Sequence, residues 1–330
     1  MTEPAARPRV GILLPTREMA MTGSYAMAPL LDFAQQVDQL GFDSLWTGDS
    51  LLARPRLDPL VVLAASAAVT RRVTLGTAAL TAVLRHPLIG ANLVTSLDHA
   101  AQGRLVLGIG SGFPIPETAE EFAAVGVPFA GRAARTDDTV RLWRRCWASR
   151  HGGGTAHHGR YWRAEGLDRL PPPARPGGPP LWLAGSDTPR VVARVAADYD
   201  GWLPFLPTAE AYAAAWQRIT EAAAQQGRPA GSITPGLYAT VTVNPDRERA
   251  RAELDDYVRG YYGRPLELMA SFQAYGYGTA AQCADWLAGY VRAGARHLVL
   301  RIGSLDPAPQ LKEIAEVLLP ALADLAAAPA

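Results

Sequence analysis

Residues 73–113, VTLGTAALTAVLRHPLIGANLVTSLDHAAQGRLVLGIGSGF, read as strand, loop, helix, strand and glycine-rich loop. Residues 73–75 and 105–109 are short β-branched and leucine runs without polar alternation, the pattern of strands covered on both faces. Between them His86-Pro87 opens a helix and Gly103 closes it. Proline suits a first helical position and glycine the position just past the end. The unit is therefore a parallel βαβ. Its second strand runs into Gly108, Gly110 and Gly112, whose bare backbones can approach a phosphate or a flat ring.

Working outward, strand and helix signals alternate along the chain. Residues 10–15 predict a first strand, followed by a polar loop through Gly23 and a helix over 27–40. Residues 42–47 predict a second strand, and Asp58-Pro59 is a cap-and-proline start for a helix ending near Thr70. After the glycine loop, the segment to Gly131 reads as irregular and 132–147 as helix. Residues 150–178, rich in Gly, Pro and His, read as an excursion with a hairpin around Tyr161-Trp162. Strands are predicted at 180–184, 201–204, 237–243 and 297–302. Helices are predicted from Pro189, over 209–226, 245–262, 266–274, 280–293 and 307–325. Eight strands, each followed by a helix, predict a (β/α)8 TIM barrel, one α/β domain over residues 1–330, with a doubly wound open sheet as second choice.

Composition limits the partners. A chain of 330 residues with 48 % hydrophobic and 19 % charged residues describes an ordinary globular protein. A formal charge of +1 argues against nucleic acid or an anionic membrane as partner. No stretch reaches the ~18 uninterrupted apolar residues of a membrane span, and the first residues do not read as a signal peptide. Cys146 and Cys283 lie in helical patterns without CxxC or CxxH neighbours, so neither a disulfide nor structural zinc is expected, and a reducing cytoplasm fits best.

A barrel's site lies where its strands end. That rule gathers Arg17, Tyr25, Asp49, Arg54, Arg85, Ser111, Glu117, Ser186, Asp187, Arg301 and Ser304 at one mouth, and sends Asp43 and Arg296 to the opposite face. Gly108 to Gly112 is not the dinucleotide fingerprint; a tight turn explains it equally well. Gly185-Ser186-Asp187-Thr188-Pro189 presents a hydroxyl and free N–H groups before a helix start, an anion site unless Ser186 or Asp187 simply caps the helix. Gly76-Thr77-Ala78-Ala79 is small enough to let a flat ring lie on the backbone. His86 is expected to cap its helix and His157-His158 to lie in a solvated loop. Tyr261, Tyr262, Tyr275 and Tyr277 read either as packing of an added subdomain or as an aromatic lid.

Taken together, Gly41-Phe42-Asp43-Ser44-Leu45-Trp46, Gly76-Thr77-Ala78-Ala79, His86-Pro87, Leu97-Asp98, Gly103-Arg104-Leu105, Gly108 to Gly112 and Gly185-Ser186 resemble the bacterial luciferase-like monooxygenase family. The resemblance implies a barrel with an insertion between strands seven and eight, here about 245–293. It also implies a flavin or deazaflavin at the mouth: reduced FMN supplied by a partner flavin reductase, or coenzyme F420. A non-proline cis peptide involving Ala78 and Ala79, beside Thr77, is then expected under the ring, and the phosphate on Gly185, Ser186, Gly110, Ser111 and Gly112. Asp49, Arg54, Arg85 and Glu117 become candidate catalytic groups. Two departures stand out: Ser50 follows Asp49 where many members carry histidine, and Gly110-Ser111 stands where luciferase carries Cys-Arg, with Arg301 as the expected substitute. The expected function is monooxygenation of a small apolar or aromatic substrate by a homodimer. The alternatives are hydride transfer with the deazaflavin and a non-catalytic flavin-binding barrel.

Overall fold

Strands buried on both sides need continuous apolar runs, and the barrel strands have them. In the computed structural model, which describes residues 7–148 and 154–325, eight strands pair in parallel in chain order. They are β1 (Arg9–Leu13), β2 (Ser44–Thr47), β3 (Thr74–Leu80), β4 (Leu105–Ile109), β5 (Leu181–Leu183), β6 (Gly201–Trp202), β7 (Thr234–Val243) and β8 (His297–Ile302). β6 pairs with β7, and β8 returns to β1 with Arg9 opposite His297, so the sheet closes. Closure removes every barrel edge, and the open-sheet alternative is excluded.

The lumen is filled by large residues set against bare backbone. Leu13, Trp46, Val106, Trp182, Leu203 and Val299 form one buried cluster inside the barrel. A Cβ at Gly76 would collide with the Trp46 ring, and one at Gly201 with the Trp182 ring. Glycine is required at both places because the facing indoles occupy the room. Near the strand starts, Trp46 Nε1 donates to Ser44 Oγ (2.7 Å), which lies 2.7 Å from His297 Nε2. Burial pushes the His297 pKa down from 6.5 to about 3. The imidazole is therefore neutral in the fold, while the unfolded chain takes up a proton below pH 6.5. Stability is then present above pH 6.5 and lost on acidification, by about 1.4 kcal/mol per pH unit down to the folded value. His297→Gln is expected to flatten the loss of urea-unfolding free energy between neutral and about pH 5 by this amount per unit.

The outer elements follow the sequence signals with some differences. Asp58 accepts from Leu60 N–H (2.8 Å) and Val61 N–H (3.3 Å), capping the helix Pro59–Val69. Arg7 and Asp43 form a two-pronged pair (2.7 and 2.9 Å) at the face remote from the mouth. The polar loop expected before Gly23 contains a short helix, Thr16–Met21, and the segment read as irregular contains a helix, Pro116–Ala124, with proline at its start. Between β7 and β8 the helix Arg247–Tyr262 ends at Gly263, in the left-handed region at φ +66°. The helix expected over 266–274 stops at Met269, and Ala274–Gly278 instead forms a further parallel strand on β7. Its central Gly276 is bare because the Trp286 ring occupies the place of a Cβ.

In the excursion, whose residues 150–153 lie outside those described, His157–His158 pairs antiparallel with Arg163–Ala164. His157 is buried, not solvated. It lies 3.0 Å from Asp138, which also accepts from Tyr161 and Trp162 N–H and so locks the hairpin. His86 sits at the helix start of Pro87–Ala100 without a side-chain cap bond; its ring lies edge-on to Trp162, 5.9 Å away. Cys146 and Cys283 are free and buried. Among the described residues no helix is long and apolar enough to cross a membrane, and no group of three or more His, Cys, Asp or Glu is placed to hold a metal.

Candidate functional site

The mouth floor is set by a disruption in β3. Its register with β4 runs regularly to Thr77, opposite Leu107, then shifts so that Leu80 faces Ile109. The extra residue makes a bulge, and the peptide Ala78–Ala79 within it is cis. Two close approaches hold the bulge to β4. Thr77 Oγ1 donates to the Gly108 carbonyl (2.9 Å), and Gly110 N–H donates to the Leu80 carbonyl (2.9 Å). A Cβ at Gly108 would collide with the Thr77 carbonyl oxygen, so only glycine lets the strands touch here. Ala78, Ala184 and Tyr238 pack on the lumen cluster from above.

Asp49, at the end of β2, ties down the far side of the bulge. Its carboxylate accepts from Thr81 N–H (3.0 Å) and from Arg85 Nη1 (2.7 Å) and Nη2 (3.2 Å). Arg85 Nη2 also donates to Asp58 (2.6 Å). Burial alone would lower the Arg85 pKa, but the hydrogen bonds and charges of Asp49 and Asp58 outweigh it and hold the guanidinium firmly charged. Asp49 and Arg85 thus meet each other, as neighbours of the bulge rather than as free acid–base groups.

Glu117 is exposed in the first turn of its helix and meets none of these residues. One turn on, buried Glu121 reaches the loop after β2. It accepts from Ser50 Oγ (3.0 Å), Leu52 N–H (2.8 Å) and Leu51 N–H. Sequence reasoning missed Glu121; the Pro116 helix start was the available signal. Glu121→Ala is expected to cost about 1–2 kcal/mol by orphaning these donors, and to speed limited proteolysis at residues 50–56, read on a gel time course.

At the end of β5, Gly185 and Ser186 are half-buried, and their carbonyls accept from Trp202 Nε1 (3.2 and 3.3 Å). The cap of the helix Pro189–Asp198 is Thr188, whose Oγ1 accepts from Val191 N–H (3.4 Å). Asp187 pairs with Arg218 (3.2 Å). Neither Ser186 nor Asp187 therefore does the capping. Ser111 is half-buried in the loop after β4, the strand next to β5, and Gly112 adopts φ +82° against Phe122.

Arg301 stands elsewhere. β8 is separated from β5 by two strands, and the Arg301 guanidinium is enclosed by the insertion's tyrosines. Nε donates to Thr240 Oγ1 (3.0 Å) and Nη1 to the Tyr262 hydroxyl (2.9 Å). The guanidinium lies 4.4 Å from the Tyr261 ring centre, 5.3 Å from Tyr262, 5.5 Å from Tyr257 and 5.7 Å from Tyr238. Arg56 Nη2 donates to the Tyr261 hydroxyl (3.0 Å), Arg54 lies over Tyr262 (4.8 Å), and the Tyr257 hydroxyl donates to Glu18. Burial pushes the Tyr261 phenol up, but Arg56 and Arg301 outweigh it and bring it below the usual 10. Arg56, Glu18 and Tyr238 carried no separable sequence signal, because the loop after β2 and the helix before Gly23 meet only in three dimensions.

Comparison with known proteins places these features in a family. Residues 8–297 match the model of the luciferase-like monooxygenases. An F420-dependent glucose-6-phosphate dehydrogenase of Kineococcus radiotolerans is 38 % identical over 138 residues, 39 % of this chain and 40 % of that protein. A 4-hydroxyprotoasukamycin monooxygenase of Streptomyces nodosus is 29 % identical over 241 residues, 70 % of this chain and 62 % of that protein. The matches thus span less than two thirds of either relative. The oxygenating constituent of 3,6-diketocamphane monooxygenase from Pseudomonas putida, solved with FMN, shares the fold with a TM-score of 0.74 at 17 % identity, covering 95 % of this chain and 98 % of that one.

Proposed function

Because the chain belongs to the luciferase-like monooxygenase family, we propose that it is a reduced-FMN-dependent monooxygenase acting on a small, largely apolar organic substrate. The observation that carries the reading is the β3 bulge, held against β4 by Thr77 and Gly110, which floors the mouth with alanine and glycine. Such a floor fits a flat ring, since Ala78, Ala79 and Gly110 raise no side chain above a methyl group. Thr77 and Gly112 shape the two loops. Ser111, Gly185 and Ser186 would hold the phosphate by hydroxyl and N–H donation near a helix start. Arg301, three strands on from β5, belongs to a different wall of the mouth. When bound, reduced FMN supplies the electrons and the activation of O2 that an oxygenation needs. The protein's own residues bind, orient and keep water out. Asp49 and Arg85 fix the bulge; Phe113 stacked on Phe205 (5.4 Å), with Leu51 and Leu52, gives the mouth an apolar rim.

A flavin reductase is the proposed supplier of the cofactor. Exposed Val61, Ile89 and Leu93 on the neighbouring helices Pro59–Val69 and Pro87–Ala100 support a homodimer. The second reading, deazaflavin-dependent hydride transfer, draws its support from the F420-dependent relative. Titrating the protein separately with FMN and F420, followed by fluorescence quenching, decides between them. Micromolar F420 binding with none of FMN would overturn the first reading, and substrate-dependent O2 uptake with reduced FMN would support it. Ser186→Glu sets a carboxylate against the phosphate and is expected to weaken FMN binding by about 2 kcal/mol, roughly thirtyfold. An unchanged affinity would remove Ser186 from the phosphate site.

A further inference from the structure

The group of arginines and tyrosines around Arg301 has more positive charge and more donors than its own partners use. A guanidinium carries five N–H donors. Arg301 is 2 % exposed, and its Nη2 makes no hydrogen bond of ordinary geometry, although the guanidinium also acts on the Tyr275 hydroxyl. Arg17 Nε is likewise buried without a partner, although Arg17 Nη1 donates to the Pro55 carbonyl (3.2 Å). The Tyr261 hydroxyl accepts from Arg56, and its proton meets no acceptor among the described residues. Glu18, the carboxylate that acts on both Arg17 and Arg56, already accepts from the Tyr257 hydroxyl. The Arg17 pKa is lowered, first by burial and next by the charge of Arg56, whereas the surrounding tyrosines outweigh burial and raise those of Arg56 and Arg301. A buried cation left in this state is costly unless an anion completes it.

The surroundings say what kind of anion. Tyr238, within 5.7 Å of Arg301, packs on the same lumen cluster as Ala78, so the buried arginine lies behind Tyr238 on the wall of the mouth. The rim above is apolar: Leu51 and Leu52 after β2, Phe113 after β4 and Leu305 after β8 are about half exposed. We propose that the arginine–tyrosine wall around Arg301 recognises the carboxylate, or an equally anionic oxygen group, of a substrate whose remaining body is apolar. The cofactor phosphate has its own donors at Ser111, Gly185 and Ser186, on the far side of the barrel. The assignment rests on the oxygenase reading only in calling the ligand a substrate; the anion site follows from the charges themselves.

Calorimetric titration of the whole protein with 2-naphthoate and with its neutral isostere 2-naphthamide tests the proposal. The carboxylate is expected to bind at least tenfold more tightly than the amide. Arg301→Gln is expected to erase that difference while FMN binding, followed by quenching, stays within twofold. Should Arg301→Gln fail to fold, Arg17→Gln, at the half-exposed edge, is expected to weaken 2-naphthoate at least threefold and leave 2-naphthamide unchanged. Equal binding of the two probes, no binding of 2-naphthoate at millimolar concentration, or a loss in the variants that falls on FMN would each overturn it. If neither FMN nor F420 binds but the preference for the carboxylate persists, the flavin reading falls and the anion site stands.

Discussion

Asp49→Ala is expected to destabilise the protein by about 4 kcal/mol and, on the reading proposed above, to weaken FMN binding at least about tenfold. The Asp49 side chain is 5 % exposed and serves two neighbours at once, the Thr81 N–H and the Arg85 guanidinium. Removing it orphans a backbone donor beside the bulge, which costs about 1–3 kcal/mol. It also removes one of the two carboxylates that face Arg85. Breaking a fully buried pair costs about 3–5 kcal/mol. The lower part of that range applies here, because Arg85 is 16 % exposed and keeps Asp58 at 2.6 Å. The binding loss follows from geometry, since Thr81 follows the end of β3 just past the bulge and its N–H bond to Asp49 ties that exit to the end of β2. Asp49→Asn retains an acceptor for Thr81 and is expected to lose about half as much stability. Urea unfolding and FMN titration of both variants read the result. A loss below about 1 kcal/mol in Asp49→Ala, with unchanged FMN affinity, would mean that the bulge holds itself.

How much of this was legible in the sequence depends on where each signal lay. The strands around the glycine loop announce themselves because burial on both faces leaves no room for polar alternation. Asp58-Pro59 marks its helix because the cap and the proline act within one turn, and Asp58 does bond Leu60 and Val61 N–H. Ala274–Gly278 was hidden. Its residues, AYGYG, have neither the β-branched content of a strand nor any polarity break from the helix before it, and its pairing with β7 is a long-range fact. The helix Thr16–Met21 has six residues and no side-chain cap, so nothing local distinguishes it from a loop. At the mouth, the barrel rule gathered Asp49, Arg85 and Arg301 correctly at strand ends, but not their employment. Asp49 and Arg85 are spent on each other, and Arg301 is walled in by tyrosines from an insertion some forty residues earlier in the chain. Those roles depend on which side chains meet across the barrel, which spacing along the chain does not encode.

Trp46→Ala is expected to cost about 4 kcal/mol, the largest loss from any single side chain in the lumen. Trp46 is wholly buried and packs against the Trp182 ring (centres 5.4 Å apart), the His297 ring (5.5 Å) and the bare backbone of Gly76. Three losses add. The indole's transfer free energy goes, a cavity opens that β-barrel backbone cannot collapse to fill, and Ser44 loses the indole N–H that donates to it. Glycine at position 76 makes the cavity worse, because no side chain on β3 can swing into the space. A dry, ring-shaped void of this kind binds the ring that was removed. Added indole is therefore expected to restore part of the stability in proportion to its concentration, as a ligand that binds only the folded state does. Thermal or urea unfolding with and without indole measures both effects. A loss under about 2 kcal/mol would show that the barrel backbone contracts around the missing ring, and that the lumen tryptophans are filling rather than framework.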